Sequence, residues 1–114
     1  IFLARYNDLD KYNRRSHFLT DYDTGKKISE FFNINKIEKS YDCIDILIPY
    51  YIYSITPAFF EGLFMDTITR IGTVKFREKF RVIPLGEYNP YRPFQEAISR
   101  MIVKIEINKL KKQG

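Results

Sequence analysis

One cysteine, one histidine and no tryptophan leave this 114-residue chain few of the groups from which catalytic and metal centres are built. A single thiol, Cys43, excludes an intrachain disulfide and a multi-cysteine metal site. Small secreted domains usually carry several cysteines, so a reducing, cytoplasmic setting is expected. No apolar run approaches the roughly 20 residues of a membrane span. The opening Ile1-Phe2-Leu3-Ala4 is cut short by Arg5, too early for a signal peptide. With five glycines in all, no glycine-rich phosphate loop is available. Gly25-Lys26-Lys27 has the Gly-Lys pair of such a loop but not its first glycine. Neither a membrane partner nor a cofactor is expected.

The same shortage limits catalysis. A Ser-His-Asp triad would have to use His17, and no serine stands in a Gly-x-Ser-x-Gly elbow. Cys43 enters an apolar run directly, which predicts a thiol packed in the core as a small hydrophobe. The pairs Asp8/Asp10 and Asp21/Asp23 lack the rest of a calcium loop and read as turn or capping residues. These absences predict a chain that is not an enzyme.

What is present suits a globular domain. Apolar residues make up 45% of the sequence and aromatics 17%, the latter all Phe and Tyr. At this length one domain is expected, spanning residues 1–114. Ile1–Tyr6 reads as a strand, Asn7–Ser16 as a polar loop and His17–Thr20 as a brief strand. Ile28, Phe31 and Phe32 at helical spacing place a helix near Thr24–Asn33, and Asn33–Asp42 reads as a polar connection. Cys43–Ile48, short and nearly all apolar, predicts a central strand buried on both faces. Thr56 as cap and Pro57 as first helical residue open a helix that Gly72 closes. A short helix at Val74–Lys79, a strand at Phe80–Ile83 and a long helix from Pro93 to about Lys112 follow. The alternation predicts an α/β fold: a single mixed sheet of about four strands with three to four helices packed on it.

The middle of the chain resembles a known family. Ile44-Asp45-Ile46-Leu47-Ile48, followed by Tyr53-Ser54-Ile55-Thr56-Pro57-Ala58-Phe59-Phe60-Glu61-Gly62-Leu63-Phe64, resembles STAS-like domains, and most of all a bacterial and phage STAS-like family of unknown function. The likeness covers roughly residues 20–100. It implies a STAS-like fold, a regulatory protein-binding role, and a histidine-kinase-type ATPase as partner. In STAS domains that oppose anti-sigma factors, a hydroxyl at the start of the helix after the central strand is phosphorylated. By position that site falls on Pro57 and Ala58, which cannot accept phosphate; Ser54 and Thr56 are the nearest candidates for a modification or switch.

Two segments concentrate positive charge on a chain of net +5. Residues 70–81 hold Arg70, Lys75, Arg77, Lys79 and Arg81 against Glu78, with Phe76 and Phe80 between them. Residues 100–112 hold Arg100, Lys104, Lys109, Lys111 and Lys112 against Glu106. Bases interleaved with aromatics can follow a phosphate backbone and stack on nucleobases. A nucleic-acid-binding role through Arg70, Lys75, Arg77, Lys79, Arg81, Arg100, Lys104 and Lys111 is therefore the alternative, set against a core role for both phenylalanines. The last helix is more telling. Phe94, Ile98, Met101, Ile102 and Ile105 form one stripe that can dock it on the body. Val103, Ile107 and Leu110 form a second stripe facing elsewhere. The second stripe is expected either to meet a partner protein or a second copy of the chain, or to lie beneath a neighbouring loop.

Overall fold

The computed structural model describes residues 1–3 and 17–113. It has an α/β architecture in the order β1 (Phe18–Leu19), α1 (Tyr22–Phe32), α2 (Ile34–Ser40), β2 (Ile44–Ile48), β3 (Ser54–Ile55), α3 (Pro57–Ile71), α4 (Thr73–Lys79), β4 (Phe80–Pro84) and α5 (Tyr91–Gln113). No helix among the described residues is long and apolar enough to cross a membrane.

The strands do not form the single mixed sheet expected from the alternation. Among the described residues they make two separate parallel pairs, β1 with β3 and β2 with β4. β1 and β3 have two residues each, too few to extend a ladder into the larger pair. β2 and β4 run in register from Ile44 opposite Phe80 to Ile48 opposite Pro84. At the other edge of β2, Phe2 bridges to Leu47, and the Leu47 N–H donates to the Ile1 carbonyl. The rest of the expected Ile1–Tyr6 strand, the Asn7–Ser16 loop, Asp8 and Asp10 lie outside the described residues.

Burial along β2 alternates instead of being continuous. Ile44, Ile46 and Ile48 are buried, while Asp45 and Leu47 are half covered on the opposite face. Alternation of that kind belongs to a strand with one face in the core. Cys43 falls just before the first buried position and is exposed, so the expectation of a core thiol is corrected.

The segment read as a polar connection, Asn33–Asp42, is largely helix α2. Ile34 and Ile37, three apart, supply one apolar edge, and Ile34 is fully buried. Asn33 takes the left-handed conformation (φ 53°), which asparagine tolerates better than most residues, and turns the chain directly from α1 into α2. Helix α1 itself starts at Tyr22, two residues before the expected Thr24.

Within the buried core the phenylalanines of α3, α4, β4 and α5 form one cluster, and isoleucines of α1, α2 and β2 complete the core. Phe64 lies at the centre of the cluster, with ring centroids 5.0 Å from Phe76, 5.3 Å from Phe80 and 5.8 Å from Phe94. Edge contacts at these separations add about 0.5–1.5 kcal/mol per pair to the gain from burial. Helices α1 and α3 pack backbone to backbone, because each presents a glycine to the other. A Cβ on Gly25 would fall on the Phe59 carbonyl, and one on Gly62 on the Tyr22 carbonyl. Gly25 is thus a packing residue. Helix α3 opens at Pro57 and ends at Gly72, whose φ of 86° few other residues adopt without strain. Thr56 precedes it without making a side-chain cap; its hydroxyl donates instead to the Thr20 carbonyl at 2.7 Å.

Helix α5 starts at Tyr91, two residues ahead of the expected Pro93. The Tyr91 N–H donates to Asn89 Oδ1 at 2.9 Å. Pro93 then sits in the first turn, where N–H groups have no intrahelical acceptor, so proline removes no bond there.

Candidate functional site

Helix α5 has two dissimilar halves. Phe94, Ala97, Ile98 and Met101 are buried, mainly against α3, and Ile102 and Ile105 are half covered. From Glu106 to Lys112 every residue is exposed. Twenty-three residues span about 35 Å at 1.5 Å per residue, and the molecule measures 49 Å along its longest axis against 27 and 26 Å across. The second half of α5 therefore runs past the body. The stripe of Val103, Ile107 and Leu110 lies on this part, 56%, 45% and 67% exposed. No described residue covers it.

One flank of the stripe is basic. Arg100, Lys104 and Lys111 lie within about a ninth of a turn of one another at 100° per residue. Two of them are anchored. On α3, Glu61 is almost fully buried, and its carboxylate meets Lys104 Nζ at 2.7 Å and Arg100 at 3.7 Å. The Oε1 facing Lys104 accepts no aligned hydrogen bond among the described residues, so the attachment is an ion pair. Lys104 Nζ also lies 5.9 Å from the centre of the Tyr22 ring. This arrangement fixes the point at which α5 leaves the body. Lys111, beyond it, makes no ion pair among the described residues.

The segment 70–81 is arranged differently from a phosphate-tracking surface. Glu38 on α2 is buried and accepts from Arg70 at 2.7 Å and Lys79 at 2.9 Å. The Lys79 and Arg70 hydrogen bonds hold the Glu38 carboxyl below the usual glutamate value against the opposing effect of burial. Arg81 forms a fork with Asp45, Nε to Oδ1 at 2.9 Å and Nη2 to Oδ2 at 3.3 Å, and the bonded carboxylate raises the Arg81 guanidinium further. Phe76 and Phe80 are buried in the core and cannot stack on a base. Of the eight basic residues singled out in the sequence, only Lys75, Arg77 and Lys111 make no ion pair among the described residues.

The remaining candidates are engaged in local structure. Ser54 is half buried in β3, opposite Phe18. His17 Nδ1 lies 2.9 Å from the Tyr51 carbonyl, an acceptor, so that nitrogen carries the proton. The His17 ring stacks on Tyr53 with centroids 4.9 Å apart.

The two buried glutamates escaped the sequence reading, although Glu61 left a trace. A lone carboxylate inside Phe59-Phe60-Glu61-Gly62-Leu63-Phe64 needs a cation, and Arg100 and Lys104 share one face of the last helix. No family model matches the chain, and neither curated proteins nor solved structures include a match.

Proposed function

We propose that this chain is a non-enzymatic interaction module that docks the projecting end of α5 into an apolar groove rimmed with carboxylates on another protein. The supporting observation is the exposed stripe Val103, Ile107 and Leu110 on a helix that has left its own core. Amphipathic helices bind grooves through residues spaced in this way. Charge favours a different protein over a second copy. Beyond Ile105 the end of α5 carries Lys109, Lys111 and Lys112 against Glu106, so two such ends would oppose like charge. Three side chains also fall short of the roughly 600 Å² per partner at the low end of stable interfaces, whereas a groove would take both flanks as well. The resemblance to STAS-like domains supports an intracellular regulatory role and a histidine-kinase-type ATPase as the first partner to try. A switch at Ser54 or Thr56 has less support, because the Thr56 hydroxyl is bonded to Thr20. Nucleic acid has less support too, since the carboxylates of Glu38, Asp45 and Glu61 hold most of the basic residues it would use.

The test combines sedimentation with capture from the native host, for the parent and for Ile107→Asp and Tyr53→Leu. The expected result is a monomeric parent whose captured acidic partner is lost with Ile107→Asp, kept with Tyr53→Leu, and weakened by added salt. Equal capture by the parent and Ile107→Asp, or a parent dimer that Ile107→Asp dissolves, would overturn the proposal.

A further inference from the structure

We draw no further inference here: the strongest candidate, the groove of about 360 Å³ between β4 and the first half of α5, with a floor of Phe80, Val82, Phe94 and Ile98 under Arg77 and Arg81, carries nothing, because the floor is buried in the core, Asp45 already holds Arg81, and nothing in the structure shows what covers the remaining face.

Discussion

Removing Lys104 and removing Glu61 should have unequal consequences, although the two are partners. Glu61 is 3% exposed, whereas the side chains of Lys104 and Arg100 are about half in water, at 52% and 56%. Lys104→Met leaves a carboxylate in the core with only Arg100, 3.7 Å away, to compensate. Breaking a fully buried pair costs about 3–5 kcal/mol and an exposed one under about 1; with one partner buried and the other half in water, about 2 kcal/mol is expected. Glu61→Leu removes the buried charge and lets Lys104 return to solvent, so its cost should stay below about 1 kcal/mol. The double variant should recover most of the loss, giving a coupling energy of about 1.5 kcal/mol. Urea unfolding of the four proteins measures the cycle, and the Lys104→Met midpoint on heating should fall by about 8 °C. Two equal single losses that simply add would refute the assignment of Glu61 as a buried charge dependent on α5.

The α1–α3 approach and the Glu38 cluster give two further expectations. Gly62→Ala places a methyl group on the Tyr22 carbonyl, a backbone atom that cannot swing aside, and should cost about 3 kcal/mol or more in urea unfolding. Because the folded Glu38 carboxyl sits below the usual glutamate value, its stabilising effect is fully present above that ordinary value and is lost as pH falls through the lower folded one. The stability gap between parent and Glu38→Gln should therefore be constant from pH 7 to 5 and close below about pH 4.5. A gap unchanged down to pH 3 would show that Glu38 is not the group responsible.

The elements with a strong local signal were legible in the sequence. Thr56-Pro57 and Gly72 mark α3 almost to the residue, and the Phe80 strand and the two stripes of the last helix also stand as read. What was missed depends on distant partners. Nothing local to Cys43 shows that burial begins one residue later, and α2 is carried by two isoleucines in an otherwise polar run. Strand grouping depends on which segments approach in space, so separate two-stranded pairs look the same in sequence as one sheet. For the candidate surface, the Val103, Ile107 and Leu110 stripe could be read from spacing. The fate of the basic residues could not, because Glu38, Asp45 and Glu61 reach them from 32 or more residues away.

The parallel pairings also have a kinetic consequence. Asp45 and Arg81, facing each other across β2 and β4, are 36 residues apart, as are Thr20 and Thr56 beside the smaller pair. Neither ladder can start from a hairpin; each must first close a long loop whose entropy is lost before any ladder bond forms. Refolding should therefore be limited by the meeting of preformed helices with late-arriving strands, and should run slower than in a helical bundle of equal length.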